Sequence, residues 1–293
     1  MNIAIIGCGF AGISCALTMK AKGLVADVYF SELSSLLMFQ GIFRWGENLT
    51  INRELSEMIR DSSNVAEKIL MNIFEKQNLS LKKSDAYIYG SGIVRNVLAL
   101  PSLNISDKNV NLITSPEEIF GKHISAFDFD SEENFHLLNR IPDNSLIPQI
   151  LGVERYSEVF SLVKERGIRE IAGVFPPTAG HRMKNIFLKT LTLNNIKHYN
   201  SKVVFDGKNF FCVDMGNMNY DIYIISSGRL FPLLSDFSFL RNNVFETDKY
   251  SRPIIGGVVK ENIFLSGSLV CGFGSLGAIA SGYATALCVK ELI

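Results

Sequence analysis

Residues 2–32 run through a short apolar stretch, three spaced glycines, a helical stretch, a second apolar run and an acidic residue. Ile3 to Ile6 read as a buried parallel strand, followed directly by Gly7-Cys8-Gly9-Phe10-Ala11-Gly12. Glycine at position 7 lets the chain turn sharply from strand into helix, and glycine at position 9 leaves the backbone open to a pyrophosphate. Gly12 allows the helix to approach the sheet, with Ala16 on the same inner face. The unpaired N–H groups and positive dipole end of such a helix face phosphate oxygens. Val28-Tyr29-Phe30 supply the second strand, and Glu32 beyond it is positioned to accept both hydrogen bonds of an adenosine ribose diol. A glycine-rich turn in an ordinary strand–helix unit does not account for Glu32.

This order predicts an α/β fold: a Rossmann-type FAD/NAD(P)-binding domain with a doubly wound, mostly parallel sheet, and an inserted, smaller α+β middle domain. Gly7, Gly9, Phe10, Ala11, Gly12 and Glu32 are its candidate cofactor-binding residues. A chain of 293 residues is long enough to bury a large core. Its 29 basic and 29 acidic residues balance, which argues against a general nucleic-acid surface. Cys8, Cys15, Cys212, Cys271 and Cys288 form no CxxC pair, so no zinc or iron–sulfur site is encoded and no metal is expected. This cysteine usage predicts a reduced, cytoplasmic protein. The fingerprint starts at Asn2, which is expected to leave no room for a leader. Asn262 through Val289 carries no charge and is long enough to cross a bilayer. Its glycines, among them Gly267, Gly274 and Gly282, divide it instead into a strand, a turn and a helix, so no transmembrane segment is expected.

Leu55, Ile59, Val65, Ile69 and Ile73 lie at helical spacing and predict helices across about 53–77, interrupted near Asp61 to Asn64. Ala86 to Tyr89 read as a strand, and 101–150 are richer in Asn, Ser, Asp and Pro. Tyr156 to Arg166 and Met183 to Leu193 have amphipathic helical patterns, with Gly167 as a stop for the first. Asp206-Gly207 marks a hairpin between two β-rich runs of 202–213, and Asp221 to Ser226 form another strand. With glycine-rich strand–helix units at both ends, residues 1–100 and 200–293 are expected to form the dinucleotide (flavin)-binding domain. Residues 101–199 are expected to be the inserted substrate or cap domain.

Three later segments narrow the reading. Phe175-Pro176-Pro177-Thr178-Ala179-Gly180-His181-Arg182-Met183 is a Pro-Pro turn with a glycine and an arginine ahead of a helix. Ile222-Tyr223-Ile224-Ile225-Ser226-Ser227-Gly228 is a strand ending in a glycine turn, and 262–270 form another strand before a glycine-rich bend. With Gly90 to Ser102, which holds Arg95 and Pro101, and with Ile147 to Gly152, the chain resembles the B-type subunit of the anaerobic glycerol-3-phosphate dehydrogenase family. Residues 103–145 match poorly. The resemblance implies a flavin-dependent oxidoreductase subunit that oxidises sn-glycerol 3-phosphate, a small phosphorylated polyol, to dihydroxyacetone phosphate. Electrons then pass to a quinone or a partner subunit. It also implies a second flavoprotein subunit and an iron–sulfur subunit, and peripheral attachment at the inner face of the cell membrane through them. The rival from another class is a non-catalytic flavin-binding assembly or electron-relay subunit.

Glu32 and the complete glycine motif favour FAD, since both are wasted on a mononucleotide; the family's association with FMN keeps FMN as the alternative, with NAD behind it. Gly228 and Gly267 are the further candidate turns against the flavin. Where many FAD enzymes carry an aspartate, Ser266-Gly267-Ser268 stands here, with the Ser268 hydroxyl as the candidate hydrogen-bonding group. Oxidation of a secondary alcohol sends a hydride to flavin N5 while a base takes the hydroxyl proton. Arg182 is the candidate for the substrate phosphate, weighed against a structural salt bridge, and Arg95 is a second candidate, weighed against a surface role. His181 is the candidate general base, weighed against an exposed or capping histidine. Cys8 and Cys271 read as small packing residues.

Overall fold

Ile3–Ile6 (β1) is buried at every position, as a central strand of a parallel sheet must be. It leads through the helix Phe10–Ala21 (α1) to Ala26–Phe30 (β2). His198–Asn200 (β3), Ile222–Ile225 (β4) and Ile263–Leu265 (β5) complete a five-stranded sheet in the order β3-β2-β1-β4-β5. Every neighbouring pair is parallel. The strand order reverses beside β1, so the carboxyl ends of β1 and β4 flank the switch point where open α/β sheets bind ligands. The chain is α/β with a Rossmann-type, mostly parallel central sheet and several smaller sheets.

This computed structural model describes residues 1–31, 36, 39–46, 52–105, 111–173, 178–206, 209–228, 246–270 and 274–293. They divide into two compact units, one of Met1–Ser35, Arg44–Ile73 and Phe187–Ile293, the other of Leu36–Phe43 and Phe74–Ile186. The first unit holds the parallel sheet and both ends of the chain. Its last helix, Ser275–Leu292 (α2), is apolar almost all round and packs on α1. The approach is close: a Cβ on Gly282 would lie 2.1 Å from the Ala11 carbonyl oxygen. Ser14 Oγ donates to the Ile279 carbonyl at 2.7 Å, and Thr285 Oγ1 donates to that of Leu265 at 3.2 Å. The charge-free segment 262–289 thus forms a strand, the 3-10 turn Gly267–Leu269 and a helix, with 271–273 outside the described residues. Among the described residues no helix is long and apolar enough to cross a membrane.

The second unit contains an antiparallel sheet in which Gly92–Ala99 lies between Ile42–Phe43 and Lys83–Ile88, with Asn104–Ile105 beyond the latter. A second sheet aligns Asn111–Leu112, Ser145–Ile147 and Arg169–Glu170 in parallel. Phe129, Leu138, Ile141 and Val159 belong to its core. The divisions differ from the expected ones in three places: Leu36–Phe43 goes with the second unit, where Ile42–Phe43 pairs with Gly92–Ala99, and two longer stretches change sides as well. Residues 74–100 go with the second unit, because their two long strands pair with each other and with Asn104–Ile105. Residues 187–199 go with the first, because β3 adds to the edge of the parallel sheet beside β2. The helices Arg53–Asp61 and Ser63–Glu75 break where Asp61 to Asn64 predict, at Ser62.

Candidate dinucleotide site

The Gly7–Gly12 turn is built by backbone contacts that exclude side chains. Gly7 has φ +113°, and its N–H donates to the Tyr29 carbonyl at 2.7 Å. A Cβ there would meet the Ser226 carbonyl oxygen at 2.6 Å, so glycine is needed both for the bend and for the approach to β4. Gly12 sits in the first turn of α1, and a Cβ on it would lie 1.9 Å from the Gly7 carbonyl oxygen. The loop therefore folds back on its own helix.

Gly9 is the opposite case. It is the N-cap of α1 in an extended conformation, and among the described residues no side chain caps the helix there and no atom lies within 4 Å of where a Cβ would stand. The open space lies at the helix N-terminus, where backbone N–H groups and the dipole favour an anion. No side chain between Asn2 and Met19 is charged, so within this stretch the attraction falls on backbone donors.

Around this turn the first unit gathers most of the expected cofactor residues. Ala11 is buried, and a Cβ on Gly267 would lie 2.9 Å from its methyl. The Gly267 N–H donates to Ser281 Oγ at 2.9 Å, which fastens the turn after β5 to α2. Phe10 packs edge-on against Phe187 at 5.4 Å between ring centroids. Gly228 lies three residues beyond β4, and Ser268 is half-buried on the turn Gly267–Leu269. Glu32 falls two residues beyond β2 and lies outside the described residues, as do the Pro-Pro pair and Cys271. Burial pushes the Cys288 thiol up to about 12 and the Cys15 thiol up as well, which suits packing residues.

Three polar groups here did not stand out in the sequence. Ser226, Ser227 and Ser266 are 6%, 8% and 0% exposed, and their hydroxyls find no hydrogen-bond partner among the described residues. Ser226 and Ser266 follow directly on β4 and β5, at the carboxyl end of the sheet, and Ser227 comes one residue after Ser226. Their seryl identity was legible; their lack of a partner is a property of the fold. An open glycine at a helix N-terminus, together with orphaned hydroxyls at the neighbouring strand ends, fits a dinucleotide.

The expected catalytic and substrate residues lie in the other unit, and there the structure corrects the reading of Arg182. Its side chain is fully buried, and Nη1 and Nη2 donate to the two oxygens of Glu170 at 2.5 and 2.8 Å. Nε donates to the Gly152 carbonyl at 2.7 Å, and the guanidinium lies 4.4 Å from the centroid of the Tyr156 ring. Glu170 also accepts from Ser102 Oγ at 2.6 Å and from the Leu151 N–H at 2.8 Å. A guanidinium spent on a buried carboxylate and a carbonyl is not presented to a substrate phosphate. Arg95 is exposed on the strand Gly92–Ala99.

His181 is half-buried and packs edge-on against Phe127 at 5.4 Å. Burial first, and the nearby Lys184 charge second, hold its pKa below the ordinary histidine value, so the imidazole is neutral at pH 7. Lys184→Gln is therefore expected to raise that pKa while leaving it below the ordinary value, as read by NMR titration of the ring. Among the described residues no group of three His, Cys, Asp or Glu is placed to hold a metal ion.

No protein-family model matches the chain, and no curated protein does. Among solved structures it is similar to the GidA-related protein from Thermus thermophilus, at 8% identity and a TM-score of 0.41, over 99% of this chain and 98% of that one. It is similar to THI4 from Thermovibrio ammonificans at 12% identity and a TM-score of 0.40, over 99% and 90% of the two chains. For iminodiacetate oxidase (IdaA) from Chelativorans the identity is 12% and the TM-score 0.36, over 79% of this chain and 56% of that one. The chain thus spans little more than half the length of that oxidase. Likenesses this low carry no functional weight, and the fold assignment rests on the chain's own strand order and glycine turn.

Proposed function

We propose that this chain binds FAD across the Gly7–Gly12 turn and works as a flavin-dependent oxidoreductase or as a subunit of one. The observation that carries the reading is Gly9, an open, uncapped helix N-terminus at the switch point of a parallel sheet. When bound, the flavin supplies the hydride-accepting chemistry. The chain's own part is to hold the diphosphate on backbone N–H groups. His181, in the other unit, carries a neutral imidazole, the form that a base for an alcohol proton requires. The finer reading, oxidation of sn-glycerol 3-phosphate to dihydroxyacetone phosphate as a B-type subunit, rests on the sequence resemblance. So do a quinone or partner-subunit acceptor, a second flavoprotein subunit, an iron–sulfur subunit and peripheral membrane attachment through them. FMN remains the alternative flavin.

The burial of Arg182 favours a second reading, a non-catalytic flavin-binding assembly or electron-relay subunit, because it removes the leading candidate for the substrate phosphate. Purification of the chain, followed by absorbance and mass measurement of the released cofactor, tests the first step. FAD is the expected result. A chain that carries no flavin and takes up neither FAD nor FMN on titration overturns it. A bound flavin that is chemically reducible but never turns over glycerol 3-phosphate with an artificial acceptor selects the relay reading.

A further inference from the structure

The register of the parallel sheet aligns Ile6 with Ile225 and Ile225 with Leu265. One residue further on, Gly7, Ser226 and Ser266 therefore stand in a row across the carboxyl ends of β1, β4 and β5. Backbone bonds continue the ladder to that row: the Ser226 N–H donates to the Ile6 carbonyl at 2.7 Å, and the Ser266 N–H donates to that of Ile225 at 2.9 Å. Ser226 faces the glycine loop, its Cβ 3.6 Å from where a Cβ on Gly12 would lie. Neither the Ser226 nor the Ser266 hydroxyl has a hydrogen-bond partner among the described residues. A buried hydroxyl without a partner costs about 1–3 kcal/mol, so two in one row call for a polar group that the described residues do not supply.

The strand order says which part of a dinucleotide that group belongs to. The glycine turn after β1 takes the diphosphate, and the adenosine belongs on the β2 side of it. Ser226 and Ser266 are on the other side, at β4 and β5, where the remaining half of the molecule must lie. In FAD that half begins with the ribityl chain, whose hydroxyls both donate and accept, as serine does and a carboxylate does not.

We propose that Ser226 and Ser266 are cofactor-binding residues that hydrogen-bond the ribityl segment of FAD. The proposal rests on the FAD reading above and deepens it. The test compares wild type with Ser226→Ala, Ser266→Ala and the double variant, titrating the flavin-free protein with FAD and with ADP and recording its melting temperature without ligand. Each single variant is expected to bind FAD roughly 5- to 10-fold more weakly and the double variant roughly 30-fold or more. ADP binding should not change, and the flavin-free melting temperature should hold or rise, because a buried hydroxyl with no partner among the described residues has been removed.

Equal FAD affinity in all four proteins overturns the inference and leaves the FAD reading standing. Parallel losses for FAD and ADP move the hydroxyls to the diphosphate and overturn the ribityl assignment. A fall in melting temperature without ligand makes the hydroxyls structural and overturns it too. A wild-type chain that binds no FAD takes down the cofactor reading itself, and this inference with it.

Discussion

Gly9→Val is expected to leave the chain folded and to strip it of FAD. Gly9 is extended, at φ −83° and ψ −166°, a conformation that a β-branched residue adopts readily, and its missing side chain points into open space. The cost to the fold is the loss of a tolerable N-cap, about 1 kcal/mol, which moves the melting temperature by only a few degrees. The cost to the cofactor is steric, since the isopropyl group fills the place that a pyrophosphate must enter. Affinity should fall by a factor of at least about 100, equivalent to about 2.8 kcal/mol. Gly12→Ala is the control with the opposite outcome. Its methyl would lie 1.9 Å from a backbone oxygen of the same loop, a contact that no rotamer relieves, so α1 must shift and stability should fall by about 3 kcal/mol or more. Thermal melts and FAD titrations of the two variants check both halves. Normal FAD binding by Gly9→Val would make the turn purely structural.

The contrast between these glycines explains what the sequence could disclose. The spacing of Gly7, Gly9 and Gly12 is a local pattern whose three roles follow from covalent geometry, and the structure gives each glycine a distinct environment. The strand, turn and helix of 263–292 were legible for the same reason, because glycines punctuate an apolar run. The middle of the chain was not. Lys83–Ile88 and Gly92–Ala99 form a hairpin with a bulge between Ser84 and Ala86, which spoils the alternation that reveals a strand, and only Ala86 to Tyr89 stood out. Residues 126–140 look polar in composition, yet their 3-10 turns bury Phe129, Leu137 and Leu138 in a core cluster. Residues that matter through distant partners were the least legible. Ser266 becomes informative only once no partner is found for it, and Arg182 only once Glu170 is.

Arg182→Met is the second large effect expected, and it should appear in stability rather than in substrate binding. The substitution leaves the Glu170 carboxylate buried with Ser102 and Leu151 as donors but without its cation. Removing one partner of a buried ion pair typically costs about 3–5 kcal/mol, enough to lower the melting temperature by on the order of 10 °C. Arg182→Lys keeps the charge but loses the paired donors to Glu170 together with the bond to the Gly152 carbonyl, and should fall between wild type and Arg182→Met. Pairing Arg182→Met with Glu170→Gln removes the stranded charge while retaining an acceptor for Ser102 or Leu151. The double variant should therefore be more stable than the sum of the single losses allows, a coupling that a double-mutant cycle measures directly. Retained FAD binding in the folded fraction would confirm that the damage is confined to this network. If instead Arg182→Met melts like wild type and weakens only the apparent affinity for glycerol 3-phosphate, the ion pair is dispensable, and Arg182 returns to the substrate site from which its burial removed it.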